Sequence, residues 1–173
     1  MYFILILRCI NCWVSIYRDR YILGGEDMKT STLLKIAAVL MFLYFAGHTA
    51  GAPWTPGEAP ADVAVVDAMK SDYFPVIGMW RSYWDFYFGF GLIISVMQLF
   101  QAVLLWQLAT LAKTDAARLR PIIAVFCLSL VVNAILSWMY FFPIPVVMAV
   151  LIAICLALAF VSAKKSDTPQ SGH

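Results

Sequence analysis

Four long apolar runs, at residues 33–50, 86–111, 122–142 and 146–163, leave this chain few folds to choose from. Each is about 18 to 26 residues long, against the ~20 a helix needs to cross a ~30 Å hydrocarbon core. Within that core every backbone N–H and C=O must be paired internally, so a span is either a helix or part of a closed barrel. The runs are continuously apolar rather than alternating, which argues for helices. The expected fold is an all-α membrane protein, a four-transmembrane-helix bundle occupying residues 28–163. A chain that is 63% hydrophobic and 13% charged is extreme for a soluble domain, and its 173 residues leave no room for a second globular unit. A net charge of +2, with the basic residues at the ends of apolar runs, gives no footprint for nucleic acid.

Breakers mark the joints. Pro53, Pro56 and Pro60 end the first span and open a long loop before the second. Pro121 falls where the third span begins, a position at which its missing N–H is harmless. Pro143 and Pro145 close a tight hairpin between spans three and four. Lys29, Lys35, Lys113, Arg118, Arg120, Lys164 and Lys165 flank one set of span ends. The positive-inside rule makes that side cytoplasmic, with the N-terminus (counted from Met28) and the C-terminus both inside. The long loop then faces outward, and Glu58, Asp62, Asp67 and Asp72 against Lys70 make it acidic. Within it, residues 60–70 fit two readings. One is a short helix on the membrane surface, with Val63, Val66 and Met69 or Lys70 recurring at helical steps. The other is an ordered loop. Trp54, Trp80, Tyr83, Trp84, Tyr87, Trp138 and Tyr140 all fall at the outer boundary, the depth favoured by rings with one polar edge.

The two ends differ from the rest. Residues 1–27 fit an extra helix, a signal-like segment or a leader that is not translated. The third is favoured: Met28-Lys-Thr-Ser31 before an apolar run is a common start, and Gly24-Gly25-Glu26 can be encoded by a purine-rich ribosome-binding sequence. Cys9 and Cys12 lie in that segment without the strand–helix context of a redox motif. Residues 164–173 are expected to form a disordered cytoplasmic tail, so His173 carries no functional weight.

Few polar side chains enter the spans. Arg81 and Asp85 are four residues apart at the mouth of span two. On one helix they would pair, either pinning the helix start or lining an outward-facing cavity. His48 ends span one within Gly47-His-Thr-Ala-Gly51, a small-x-x-x-small pattern that lets helices approach closely. It has no second histidine at ligand spacing, so neither metal nor haem is implied, and no other cofactor is. In span three, Asn133 and Ser137 project toward the outer half. In span two, Gly91, Ser95 and Gln98 share a stripe, with Gly89 thinning the helix above it. These are read as helix-packing positions, together with Gly47 and Gly51. Cys127 and Cys155 read as small buried apolar residues. His48, Arg81, Asp85, Asn133 and Ser137 together form a candidate polar pocket open to the outside.

The stretches Gly47-His-Thr-Ala-Gly51 and Arg81-Ser-Tyr-Trp-Asp-Phe-Tyr-Phe-Gly-Phe-Gly-Leu92 resemble a family of small bacterial inner-membrane proteins of uncharacterised activity. The likeness covers about residues 30–163, and the second stretch is the more specific. It implies four helices and a bacterial inner membrane and transfers no functional residue. In helix number and loop plan the chain is also loosely similar to DoxX-like four-helix proteins, a likeness of architecture alone.

Three functions compete. The first is a non-enzymatic protein that binds a lipid, a quinone or a membrane-protein partner through the outer pocket. The second is a membrane enzyme using His48 and Asp85 as acid and base on an apolar substrate, which requires the two to converge. The third, a transporter, is weakened by the lack of an internal repeat unless the chain forms a homo-oligomer.

Overall fold

The computed structural model describes residues 28–51 and 57–163. The readings of residues 1–27, of Cys9 and Cys12, of Trp54 and of the tail at 164–173 lie outside the described residues. The fold is mainly helical. Helix α1 is Met28–Gly51 and α2 is Pro60–Ser71. A hairpin of β1, Tyr73–Val76, and β2, Met79–Ser82, leads into α3, Tyr83–Tyr140, and α4 is Pro143–Ser162. Three of these helices, α1, α3 and α4, are long and apolar enough to cross a membrane.

At 1.5 Å per residue an unbroken α3 would run roughly 87 Å, nearly three times the hydrocarbon thickness. It is not unbroken. Asp115 leaves helical geometry at φ −156° and ψ 74°. Its carboxylate accepts from the Arg118 N–H at 3.3 Å and pairs with the Arg118 guanidinium at 2.9 Å. Asp115 therefore caps the start of a second helical segment, 116–140, as aspartate does at helix N-termini. In place of the loop expected between residues 111 and 122, the helix is interrupted at this one residue. Pro121 consequently lies inside the second segment and not at its first turn. The expected hairpin before α4 is present: only Phe141 and Phe142 separate the helices, and Pro143 and Pro145 fall in the first turn of α4, where proline is tolerated.

The described residues fall into two compact units. One comprises residues 28–40 and 102–163. Its buried side chains are Leu34, Ala37, Leu105, Ala109, Ile123, Ile152, Leu156 and their neighbours, contributed by all the helical segments in it. The Ser31 hydroxyl donates to the Ala109 carbonyl at 2.7 Å, tying α1 to α3. The Cys127 thiol faces the Ala153 carbonyl at 3.6 Å, and the Arg120 guanidinium stacks 4.5 Å above the Phe160 ring, tying segment 116–140 to α4.

The other unit comprises residues 41–51 and 57–101. Residues 60–71 are helical rather than an irregular loop. Pro60 starts the helix, Asp62 lies in its first turn and Lys70 in its last, matching the helix dipole at both ends. None of its residues is buried, and Val66 and Met69 are the partly covered positions. The Lys70 ammonium sits 4.9 Å over the Trp84 ring and fastens α2 to the start of α3.

The hairpin was not foreseen from the sequence. Val76 pairs with Met79, so the turn has two residues, Ile77 at φ +46° and Gly78 at φ +79°. Positive φ at both positions is the geometry whose twist matches the flanking strands. Glycine adopts it freely; a β-branched isoleucine does so against steric resistance. Phe74 of β1 packs against the rings of Tyr83 and Phe86, 4.8 and 5.9 Å away, and holds the hairpin to the first turn of α3.

Large apolar side chains such as Phe42, Phe90, Met97, Leu128, Trp138 and Ile154 are exposed along the long helices. Surface of that extent is sustained by lipid rather than water, as in an all-α membrane protein.

Candidate functional site

The stripe Gly91, Ser95 and Gln98 is buried in a stretch of α3 whose other faces are largely open. That face carries the hydrogen-bonding side chains of Ser95 and Gln98. Opposite it stands the last turn of α1. His48 Nδ1 lies 3.0 Å from Ser95 Oγ, and the Thr49 hydroxyl donates to the same Ser95 oxygen at 3.1 Å. Ser95 sits 12 residues beyond Tyr83, about 18 Å down the helix, and is only 5% exposed. Hydroxyl and imidazole thus meet well below the helix start, where little water competes for their bonds.

One proton arrangement satisfies all three groups. Thr49 gives its proton to Ser95, and Ser95 gives its own to an unprotonated His48 Nδ1. With the other imidazole tautomer, His48 donates to Ser95 and the serine proton is free for a further acceptor.

One turn deeper on the same face lies Gln98. Its side chain is 7% exposed, and its Oε1 has no hydrogen-bond partner. A buried acceptor left unpaired costs about 1–3 kcal/mol. Among the described residues Thr30 Oγ1 is in the same condition, in the other unit.

The pairing expected between Arg81 and Asp85 is absent. Arg81 lies on β2, not on the helix, and its guanidinium donates to the Trp80 carbonyl at 2.9 Å and contacts Met79 Sδ at 3.4 Å. Asp85 accepts from the Ser82 N–H at 2.9 Å, while the Ser82 hydroxyl accepts from the Asp85 N–H at 3.2 Å. This reciprocal exchange is a capping box, and it explains why α3 begins where it does. Among the described residues no ion pair joins Arg81 to Asp85.

Nor do His48 and Asp85 converge. Asp85 is committed to Ser82, and His48 bonds to Ser95, ten residues and roughly 15 Å further along α3. The second half of the expected pocket belongs to the other unit, where the Ser137 hydroxyl, buried, donates to Asn133 Oδ1 at 3.4 Å. Asn133 itself is exposed.

The glycines expected at helix contacts divide. Gly91 is buried. Among the described residues, a Cβ added at Gly47, Gly51 or Gly89 would meet nothing within 4 Å, so none of them brings a backbone close there. On α1 the contact is made by the side chains of His48 and Thr49 instead.

Sequence reasoning missed Ser82 and Thr49 and treated Gln98 as helix packing alone. The Ser82-x-x-Asp85 spacing is a recognised cap signature and was legible. The partnership of Thr49 was not, since nothing in sequence fixes which face of α1 meets α3. Among the described residues no cluster of three potential metal ligands occurs. Compared with known proteins, the chain has no significant match to a family model, a curated protein or a solved structure.

Proposed function

We propose that this chain is a four-span protein of the bacterial inner membrane with both ends cytoplasmic. It binds a lipid, a quinone or another hydrophobic small molecule at the polar cluster of His48, Thr49, Ser95 and Gln98. The break at Asp115, which divides α3 into two apolar segments, supports four spans. The placement of Lys29, Lys113, Arg118 and Arg120 supports the orientation. The resemblance of residues 47–51 and 81–92 to small inner-membrane proteins supports the location. On this orientation α2 and the hairpin lie at the outer surface, and the cluster is reached from that half of the bilayer. Membrane proteins keep polar groups at such depth where they meet a ligand, a proton path or each other.

The observation that carries the proposal is the combination of a satisfied His48–Ser95–Thr49 cluster with an unsatisfied acceptor, Gln98 Oε1, one turn away. An acceptor without a partner so close to a polar cluster is what a ligand's donor would complete. Native mass spectrometry of protein extracted in mild detergent tests it. The wild type is expected to retain a small-molecule adduct that Ser95→Leu lacks. Equal spectra for the two would remove the proposal.

A second reading is favoured by one distance. Ser95 Oγ and His48 Nδ1, 3.0 Å apart, have the spacing of a nucleophile and its base. A membrane acyl-transfer enzyme would use this pair, not His48 with Asp85. Labelling with a fluorophosphonate, lost in Ser95→Ala, would mark that activity; an unlabelled wild type would dismiss it.

A further inference from the structure

Gln98 constrains the chemistry of the ligand. A carboxamide oxygen can only accept hydrogen bonds. The neighbouring hydroxyl on its helix face, Ser95, is engaged with His48 and Thr49. The N–H groups of the surrounding helix are taken up by its own backbone ladder. The missing partner of Gln98 Oε1 is therefore a donor that does not belong to the helix.

Depth narrows the choice further. Gln98 lies 15 residues beyond Tyr83, about 22 Å along α3, well inside a ~30 Å hydrocarbon core. A charged donor such as an ammonium would have to lose its hydration there, and neither Gln98, Ser95 nor Thr49 offers it a counter-charge. A neutral hydroxyl meets both conditions. It donates one proton, and its own oxygen remains free to accept from Ser95 when His48 carries its proton on Nδ1.

We infer that the ligand of this site is an uncharged amphiphile with a free hydroxyl at its polar end, an alcohol or a phenol, held by donation to Gln98 Oε1. This rests on the binding reading proposed above and specifies its ligand. The site selects against molecules of the same shape whose polar end only accepts, such as ethers, esters and oxidised quinones. Selectivity follows from the orientation of the amide: while Oε1 faces the ligand, an incoming acceptor stays unpaired and loses its water as well, and only a turn of the carboxamide that presents Nε2 would accommodate it.

The test compares matched probes on the full chain in mild detergent by native mass spectrometry. One pair is dioleoylglycerol and its O-methyl ether; the other is a long-chain alkylphenol and its methyl ether. In each pair the hydroxyl compound is expected to bind at least ten-fold more tightly to the wild type, and the pair that binds better identifies an alcohol or a phenol. In Gln98→Met, which keeps length and loses the acceptor, the hydroxyl and ether forms are expected to bind alike. His48→Ala reports on the site as a whole. Equal binding of hydroxyl and ether by the wild type, weakened in His48→Ala, would overturn the donor requirement and leave the binding site standing. Binding of none of the four probes would overturn both. Should Gln98→Met fail to fold, the wild-type comparison alone still decides.

Discussion

His48 Nδ1 lies 3.0 Å from Ser95 Oγ, and through that bond the last turn of α1 is joined to the middle of the first half of α3. The two residues are 47 positions apart in the chain. Thr49 adds a second link to the same oxygen.

Removal of the shared oxygen should therefore act on both bonds. Hydrogen bonds between membrane helices average ~0.6 kcal/mol, and two of them end on this oxygen. Ser95→Ala is expected to lower stability by about 1–2 kcal/mol and Thr49→Val by less than 1. In a double-mutant cycle, His48→Ala and Ser95→Ala should be non-additive. Reversible denaturation in mixed detergent micelles measures all of them.

Gln98→Met should behave in the opposite way. It removes a buried oxygen that has no partner. The ligand-free protein is expected to gain about 1 kcal/mol, since the unpaired acceptor is lost and little volume changes. A loss of stability in the same denaturation assay would mean that the oxygen is paired in the membrane.

Ser82 and Asp85 exchange backbone hydrogen bonds, so Asp85 works as a cap. Asp85→Ala is expected to cost about 1 kcal/mol, and Asp85→Glu, the commoner residue at this position of a capping box, should recover most of it. Arg81→Ala should be nearly neutral. If Arg81→Ala and Asp85→Ala instead cost the same and fail to add, the two are an ion pair.

Much of the architecture was legible in the sequence because membrane helices announce themselves by length and polarity alone. The proline pair at residues 143 and 145 was readable for similar local reasons, while the spacing within residues 60–70 fitted a helix and a loop alike. The hairpin was not. Tyr73–Ser82 has no Asn-Gly or Asp-Gly turn, and its tip pairs an isoleucine with Gly78 in a geometry that isoleucine resists. Missing the hairpin displaced Arg81 onto a helix and created an ion pair that the chain does not form. His48 was legible as an inward-facing group, and Ser95 as one of a buried stripe. Their meeting depends on helix rotation and register, which apolar runs do not encode.

Ile77 is 99% exposed at φ +46°. Asparagine is far more at ease there, and left-handed geometry costs an ordinary residue about 1–2 kcal/mol. Ile77→Asn is expected to stabilise the hairpin by up to about 1 kcal/mol. Slower hydrogen exchange at residues 73–82 would show it; faster exchange would mean that the isoleucine side chain has a binding partner there.

Gly47 and Gly51 have open space where a Cβ would stand. Alanine at both is expected to be tolerated and to add a few tenths to about 1 kcal/mol per site through helix propensity. Loss of an oligomer in the double variant, read by size-exclusion chromatography with light scattering, would instead assign these glycines to contact between copies.

On the proposed function, the His48–Ser95–Gln98 face receives a hydrophobic molecule. Photo-crosslinking tests it most directly: a diazirine-bearing diacylglycerol is added to the protein in nanodiscs, irradiated, and the labelled positions are mapped by peptide mass spectrometry. Labels are expected to concentrate near residues 48 and 95–98, to be competed by unlabelled dioleoylglycerol and to vanish in Ser95→Leu. Labels scattered evenly over lipid-facing residues such as Phe90, Met97 and Leu128, and unchanged in that variant, would contradict it.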